Sequence, residues 1–443
     1  MTQTASAPPA TRSPVVPQAA APGLPTPPPV QRQQLGRVAQ LLEGTPGRMR
    51  ALLILAAVFS VIFGLAAAQG FNQSDGALTR AEANTAQLVR VQAIHTNLVS
   101  ANADATNAFL VGGLEPPAQR QHFTDSMTTA AKLISEAATA QPADQKALGE
   151  LNVTLLTYQG LIEQARANNR QGLPLGSQYL KDASATLQDD SLPLLNALVD
   201  ANQARVNTEF DGVSKGNIWL IVGGLLALAV LGLALWWLAK RTHRWVNVPV
   251  AAAAVLVLLT MVIGGASLAG ASSSAKDTRK NAYADTLALS QARISAYDAK
   301  SNESLTLIAR GSGTGFETAW KASANNTSDQ LRAVTDVAPG LGSAWDDYRA
   351  VHVDIRKSDD NLGDWDGAVD KAIGSGNGTS NTIFKAFDDQ SAGKLADLST
   401  QARAELTDAR DGLPPIGWLG LPIGIVAALL AAWGFSQRLE EYR

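Results

Sequence analysis

Long apolar runs alternate with polar segments along this chain. No Asp, Glu, Lys or Arg occurs in four windows of 24, 24, 31 and 26 residues, at positions 51–74, 216–239, 245–275 and 412–437, although 17% of the chain is charged. A helix needs about 20 consecutive apolar residues to cross the hydrocarbon core of a bilayer. The pattern therefore predicts four transmembrane helices, over residues 48–70, 217–239, 246–271 and 416–435.

The two polar segments between these spans, residues 71–216 and 272–415, are predicted to be helical. Their apolar residues recur at intervals of three and four, as in a heptad seam, at Val91, Ile94, Leu98, Ala101, Ala105 and Ala108 and at Leu395, Leu398, Ala402 and Leu406. Glycine and proline stretches break each segment three times, at residues 112–117, 141–142 and 172–176 and at residues 311–315, 339–342 and 374–378. Each segment is expected to form a four-helix bundle whose first and last helices continue from the spans, because such a bundle returns both ends to one face.

The two polar segments also resemble each other, which indicates an internal duplication. Residues 104–113 and 303–312 each begin with an acidic residue, continue as a helix and end at a glycine-rich stop. Two tyrosine–arginine pairs share an eight-residue spacing, namely Tyr158 with Arg166 and Tyr348 with Arg356. The sequence predicts an all-α integral membrane protein with four transmembrane helices and two extracytoplasmic four-helix bundles, similar to chemoreceptor sensor domains.

Charge sets the expected orientation of the spans. The first 50 residues have a net charge of +4, and the loop at residues 240–245 contains three basic residues, whereas residues 71–216 and 272–415 each have a net charge of −5. Positive flanks remain in the cytoplasm. We therefore expect both termini to be cytoplasmic, including residues 436–443, and the two bundles to lie outside the cell membrane. The 50 residues before the first span exceed the basic region of a signal peptide, so an uncleaved anchor is expected.

The N-terminal tail, residues 1–47, has a different composition from the rest of the chain. Nine of the 20 prolines fall in the first 30 residues, among alanine, serine, threonine and glutamine. Such a segment buries too little apolar surface to offset the entropy of ordering it, so disorder is predicted. Residues 33–43 are expected to form a short amphipathic helix on the inner leaflet.

The chemistry of most enzymes is missing from the sequence. The chain has no cysteine, which excludes disulfides, thiolate metal sites and a cysteine nucleophile. No phosphate-binding glycine loop, zinc-protease motif, nucleophile elbow or kinase signature occurs. The four histidines do not have metal-ligand spacing. We expect no enzymatic activity, no cofactor and no metal site. Uncharged spans also argue against a proton-coupled transporter.

Two groups of residues remain as candidates for contact with a ligand or partner. Arg166 and Arg170, which follow Tyr158, have the side chains that bind a carboxylate in a bidentate fork. Tyr348 and Arg356 are their counterparts in the second segment. The alternative for all of them is a solvated helix face.

A third group lies on the opposite side of the membrane. The basic loop residues Lys240, Arg241 and Arg244 are candidates for a cytoplasmic output. An acidic run is expected to be a solvated face, with a calcium site as the alternative, at Asp359, Asp360, Asp364, Asp366 and Asp370.

The segment Tyr158–Leu180 (YQGLIEQARANNRQGLPLGSQYL), with Ala183–Ser184 and Leu192–Pro193, resembles the GlnX family of actinobacterial membrane proteins. The layout of spans and bundles over residues 48–443 is also similar. That family is associated with an extracytoplasmic amino-acid-binding lipoprotein, GlnH, and with a cytoplasmic Ser/Thr kinase, PknG. The resemblance implies a non-enzymatic relay that reports amino acid availability to the kinase, directly or indirectly, and it assigns no contact residues.

Two other functions remain open at this stage. The first is a sensor that binds a small ligand directly in a bundle, where Tyr158 and Arg166 are the first candidates. The second is a cell-envelope or transporter-associated membrane protein without a signalling role. A homodimer is expected only by analogy with other sensor bundles, and nothing in the sequence points to nucleic acid as a partner.

Overall fold

The computed structural model describes residues 44–111, 114–242 and 246–440. Every regular element in these ranges is helical. The helices are α1 (Gly44–Leu110), α2 (Pro117–Ala140), α3 (Gln145–Arg170), α4 (Leu175–Ala185), α5 (Leu192–Thr242), α6 (Val248–Lys280), α7 (Ala282–Ile308), α8 (Thr314–Ala333), α9 (Leu341–Arg356), α10 (Trp365–Ile373), α11 (Ser380–Asp411) and α12 (Ile416–Glu440). A 3-10 turn lies at Pro142–Asp144, and π-helical turns lie at Thr186–Ser191 and Lys357–Asn361. Most of the predicted proline-rich tail, residues 1–43 with the predicted helix at residues 33–43, lies outside the described residues, as does Arg244. Residues 44–47, which were predicted to belong to the disordered tail, are instead the first turn of α1.

Four helical stretches are long and apolar enough to cross a membrane, so the chain is a multi-pass membrane protein. The apolar parts of α1, α5, α6 and α12 pack around a shared core that includes Phe63, Leu220, Val257 and Ala427. Large apolar side chains on their outer faces remain exposed, as a lipid-facing surface requires. The four predicted spans are confirmed as helices of sufficient length.

Small residues bring α1 and α12 into close contact within the span layer. A β-carbon added to Gly64 would lie 2.6 Å from the carbonyl oxygen of Gly420, and one added to Gly424 would lie 2.7 Å from that of Ser60. Real β-carbons do not approach other atoms so closely. The backbones of the two helices therefore touch, as in other membrane helix pairs that pack through small residues.

Bundle 1 consists of the outer half of α1, then α2, α3 and the helix formed by α4, its π turn and the first part of α5. The predicted seam on α1 from Val91 to Ala108 is buried in this bundle. Asp144 joins three elements at the end nearer the membrane. Gln87 Nε2 at 3.1 Å, Asn202 Nδ2 at 2.9 Å and Arg205 Nη2 at 2.5 Å donate to its carboxylate. The turn between α2 and α3 is thereby fixed to α1 and α5.

Bundle 2 consists of α7, α8, α9 with α10, and α11, around an aromatic core that contains Trp345, Tyr348, Phe384 and Phe387. Stacked and edge-on ring pairs dominate this core, with centroid distances of 4.8 Å for Trp345–Tyr348 and 5.3 Å for Tyr348–Phe384. Such pairs stabilise a core beyond the area that they bury. The six predicted helix breaks are found in the two bundles.

Bundle 2 departs from the prediction in three places. Its outer helices are interrupted where they meet the spans, at Asn281 between α6 and α7 and at residues 412–415 between α11 and α12. Pro414 and Pro415 cause the second interruption because proline cannot donate a backbone hydrogen bond. A further helix, α10, follows Gly363, whose φ of 66° suits glycine and turns the chain after α9.

The two bundles pack side by side through α1 and α7. Asn102 Nδ2 donates to Ser301 Oγ at 2.8 Å, and Asn107 Nδ2 donates to Asn381 Oδ1 at 2.9 Å. Asn102 stands two residues before Asp104, and Ser301 stands two residues before the matching Glu303. Asn102 and Ser301 therefore occupy equivalent positions in the two segments and contact each other. Equivalent residues of two subunits contact each other in the same way across a symmetric dimer interface.

This interface can be tested by cross-linking, because the chain has no native cysteine. The variant N102C/S301C, with a protease site introduced at residues 243–245, is treated with a short bifunctional thiol reagent. Since the native side-chain atoms lie 2.8 Å apart, we expect the two halves to stay joined on a denaturing gel after proteolysis. In the control V153C/S301C, one cysteine lies on an exposed face of α3, and the halves should separate. Equal joining in both variants would contradict the interface.

Candidate functional site

The two predicted tyrosines occupy the cores of their bundles. Tyr158 is fully buried, and its hydroxyl donates to Asn102 Oδ1 at 3.4 Å. Tyr348 is also fully buried and accepts from Trp320 Nε1 at 3.3 Å. Burial raises the pKa of both phenols, so both are neutral at physiological pH. In this conformation the tyrosines support helix packing and have no surface for a ligand.

Arg166 lies two helical turns further along α3, at the membrane-distal end of bundle 1. Its Nη2 is 2.9 Å from Glu115, just before α2, and its Nη1 is 2.7 Å from Glu163. The guanidinium carbon also lies 4.2 Å from the centroid of the Phe123 ring. Arg166 thus fastens α3 to the turn that begins α2.

Arg356 has equivalent surroundings in bundle 2. Its Nε lies 3.7 Å from Glu317, in the first turn of α8, and its Nη1 lies 2.9 Å from Asp359. Asp360 also pairs with its guanidinium. The shared eight-residue spacing therefore places a tyrosine in each core and an arginine at each distal end, where it binds a glutamate at the start of the preceding helix.

The acidic run after Arg356 has structural contacts. Asp359 and Asp360 pair with Arg356, and Asp364 caps α10 by accepting from the backbone N–H of Gly367 at 2.9 Å. Within the described ranges, no group of three or more His, Asp or Glu residues is arranged to hold a metal ion.

A cavity of about 180 Å³ opens at the distal end of bundle 1. Apolar side chains form most of its wall, and they include Phe109 of α1 and Ile162 of α3. Three arginines border it, namely Arg120, Arg166 and Arg170. Arg166 is held by two glutamates, whereas no acidic side chain of the described residues pairs with the exposed Arg170. The predicted Arg166–Arg170 pair therefore does border a cavity.

The distal loops around this cavity expose apolar residues. Leu114, before α2, is 84% exposed. Leu173 and Leu175, between α3 and α4, are also exposed. We call the surface formed by these three leucines with Arg120 and Arg170 the distal surface. It combines apolar groups with the unpaired charge of Arg170, a composition typical of protein contact surfaces.

Bundle 2 contains a buried ionic network at Glu303. Lys300 Nζ donates to one carboxylate oxygen of Glu303 at 2.7 Å, and Ser380 Oγ donates to the same oxygen at 2.6 Å. His352 Nδ1 lies 3.0 Å from the other oxygen, and its Nε2 lies 3.1 Å from Glu317. The imidazole also stacks on Trp320, with a centroid distance of 3.5 Å.

The network shifts the protonation of its members in opposite directions. Burial alone would raise the pKa of Glu303, but Lys300 and His352 lower it to about 2. Burial alone would lower the pKa of His352, but hydrogen bonds to Glu303 and Glu317 raise it above 6.5. The imidazole is therefore charged over a wider pH range than that of a free histidine. In the sequence, Glu303 stood out as the acidic residue that begins one of the two similar segments, and Lys300 three residues earlier was a further local signal. His352 was not predicted, because it lies on another helix.

The candidate output residues lie at the opposite end of the molecule. Lys240 and Arg241 are in the last turn of α5, where positive charge interacts favourably with the helix dipole. Lys240 Nζ also lies 5.3 Å from the ring centroid of Trp236.

Comparison with known proteins gives one match. Residues 77–211 match the family described as the Actinobacterial sensor domain. No curated protein matches the chain. No solved structure matches it either. The matched residues are those of bundle 1, from the outer part of α1 to α5, and they include the distal cavity. The match supports a sensing and signalling role.

The His352 network predicts a pH dependence of stability. The pKa of His352 is higher in the folded protein than its unfolded value near 6.5, so protonated His352 stabilises the fold. This contribution to the free energy of unfolding is complete below pH 6.5 and is lost as the pH rises through the folded pKa. Each pKa unit between the folded and the unfolded state contributes about 1.4 kcal/mol to the free energy of unfolding. We expect the melting temperature of the purified protein to fall as pH rises from 6.5 to 9, and the variant H352Q to show a smaller fall, of which the part that remains comes from His122, whose pKa is raised by Asp104.

His95 supplies the matched control. Burial lowers its pKa to about 4, so its protonation contributes no change in stability above pH 6.5. The variant H95Q should keep the alkaline fall in melting temperature. If H352Q keeps the whole fall as well, the network is not its cause.

Proposed function

We propose that this protein is a non-enzymatic transmembrane relay, with both bundles outside the cell membrane and both termini in the cytoplasm. The observation that supports it best is the continuity of α1. This helix of 67 residues contributes Phe109 to the distal cavity and continues without interruption through the first apolar run. At 1.5 Å per residue it extends for about 100 Å. A shift of α1 at the distal end therefore moves its membrane end.

The contact between α1 and α5 is very close at the outer edge of the span layer. A β-carbon added to Gly70 would lie 2.5 Å from the carbonyl oxygen of Gly216. A buried hydrogen bond from Ser74 Oγ to the carbonyl oxygen of Val213, at 2.9 Å, also joins the two helices there, and the proposed displacement along the helix axis would break and re-form such contacts. Displacements of 1–2 Å between packed helices are typical of receptor switching, roughly a third of a helical turn at most.

Outside the membrane, the proposed partner is an amino-acid-binding lipoprotein of the GlnH type. The distal surface is the part of bundle 1 furthest from the spans, so a protein anchored to the membrane by a flexible lipid-modified end can reach it. Its exposed Leu114 and unpaired Arg170 favour a partner with an apolar and acidic surface. The match of bundle 1 to a sensor domain supports the same location.

Inside the cell, the proposed recipient is a Ser/Thr kinase of the PknG type, reached directly or through another membrane protein. Lys240 and Arg241, together with Arg244 and the N-terminal tail, are the proposed output elements. They lie at the ends of α5 and α1, the two helices that pack together in bundle 1 and in the span layer. The proposed signal is therefore a change in the relative position of these two helix ends.

Docking at the distal surface can be measured with the full-length protein in nanodiscs and the purified amino-acid-binding lipoprotein of the same bacterium. We expect L114D/R170E to weaken binding by about tenfold or more, because it removes apolar area and reverses a charge at the contact. The matched control is L156D/K146E, which makes the same changes at exposed positions of α3. Equal weakening by the two double variants, or no binding to the native protein, would contradict this location.

A second candidate function is direct sensing of a small carboxylate in the distal cavity. The observation that favours it is the cavity of about 180 Å³ with Arg120, Arg166 and Arg170 at its border. Such a volume accommodates a ligand of the size of an amino acid, and guanidinium groups bind carboxylates in a bidentate fork. In this case bundle 1 needs no binding protein.

Calorimetry with the full-length protein tests this second function. L-Glutamate, L-aspartate and L-glutamine are titrated against the native protein, R170M and the control R349M, which removes a half-buried arginine from bundle 2. Direct sensing predicts binding that R170M weakens about tenfold and R349M leaves unchanged. The absence of binding for all three amino acids would leave docking of a partner as the function of this surface.

A further inference from the structure

A second cavity, of about 490 Å³, lies between the two bundles. Its walls come from four helices: α1 and α2 of bundle 1 and α7 and α11 of bundle 2. Neither bundle alone would form it. Its volume is within the range of about 300–1,000 Å³ that is typical of small-molecule sites. We call it the inter-bundle cavity.

Most charged side chains around the inter-bundle cavity are paired. Opposite charges lie within 2.8 Å in three pairs: Asp388 with Arg293, Asp389 with Lys385, and Glu303 with Lys300. Asp104 has the loosest pairing. Its Oδ2 is buried and makes no hydrogen bond, and its ion-pair partner is the mostly exposed His122, whose Nδ1 is 3.6 Å away and whose pKa is raised by Asp104. This oxygen can therefore accept a hydrogen bond from a ligand.

Asn107 adds a second unpaired oxygen on the same face of α1. Its side chain is only 7% exposed. Asn381 Nδ2 donates to the carbonyl of Ile373 at 3.3 Å, so Asn381 Oδ1 is left to accept from Asn107 Nδ2. This fixes the orientation of the Asn107 amide and leaves its Oδ1 without a partner. Residues three apart lie side by side on a helix, so Asp104 and Asn107 present neighbouring unpaired acceptors.

We propose that the inter-bundle cavity binds a small organic molecule through a protonated amine. An ammonium group carries three N–H donors and a positive charge, and it would satisfy Asp104 Oδ2 and Asn107 Oδ1 together. Tyr297 and Phe384 contribute aromatic surface to the same wall, and aromatic faces attract cations. A bare metal ion fits less well, since the described residues contain no cluster of three His, Asp or Glu ligands.

Binding in this cavity has a structural consequence that does not depend on the proposed relay. The ligand would contact both bundles at once and would therefore stabilise their association through α1 and α7. The arginine-lined distal cavity lies on the far side of the turn between α1 and α2, and it borders bundle 1 alone. The two cavities therefore have different charge preferences and can be distinguished by substitution.

The test uses the full-length protein in nanodiscs, with ethanolamine, putrescine and a panel of L-amino acids as probes. Binding is measured by calorimetry and by the rise in melting temperature. We expect at least one of these amines to bind, its N-acetylated form to lose binding, and D104N to weaken binding about tenfold or more, because a charge-assisted hydrogen bond is lost. D104N should keep the native fold, since it preserves the shape of the side chain and Asp104 Oδ2 makes no hydrogen bond that the substitution would remove.

Two controls make the result specific to this cavity. D389N removes an acid at the same cavity that is already paired with Lys385, and it should change affinity by less than about twofold. N107L removes the second acceptor without a change in charge and should also weaken binding. The proposal is overturned if no amine binds, if N-acetylation leaves binding unchanged, or if D104N and N107L both bind as tightly as the native protein. Loss of binding in R170M alone would assign the amine ligand to the distal cavity and would also overturn the proposal.

Discussion

The structure depends on the continuity and burial of one helix. α1 packs against α5 and α2 in bundle 1, against α7 of bundle 2, and against α12 in the span layer. A helix that packs against neighbours on several faces needs small or apolar residues at each contact, and its alanine-rich seam and its glycines meet that condition. Both bundles and the membrane layer are therefore organised around a single element.

Buried polar groups determine how these helices align. Alanine-rich seams define the axial alignment of two packed helices only weakly, because a shift by one turn buries a similar apolar area. Asp144 in bundle 1 and Glu303 in bundle 2 each accept hydrogen bonds from several helices, so that a shift of one helix would leave a buried charge unpaired. Asn102 and Ser301 have the same effect at the contact between bundles. These groups define geometry more than they add stability.

Much of the fold follows from the sequence because it depends on local signals. Charge-free windows define the spans, and glycine and proline define the helix ends. The arginines at the distal ends were also predictable, since their spacing from the core tyrosines repeats. The inter-bundle contact, the Glu303–His352 network and the helix α10 were not, because they join residues far apart in the sequence or depend on one turn at Gly363. The sequence showed Asn102 and Ser301 only as polar residues in two separate predicted helices, and gave no sign that they are in contact.

The interruptions in bundle 2 give the two bundles different connections to the membrane. Bundle 1 is connected to its spans by unbroken helices, whereas bundle 2 is joined to its own spans by turns at Asn281 and at residues 412–415. In the proposed relay, a displacement inside bundle 2 would be absorbed at these turns, whereas one inside bundle 1 would reach the membrane along α1 and α5. Bundle 2 would then be a fixed support against which α1 moves.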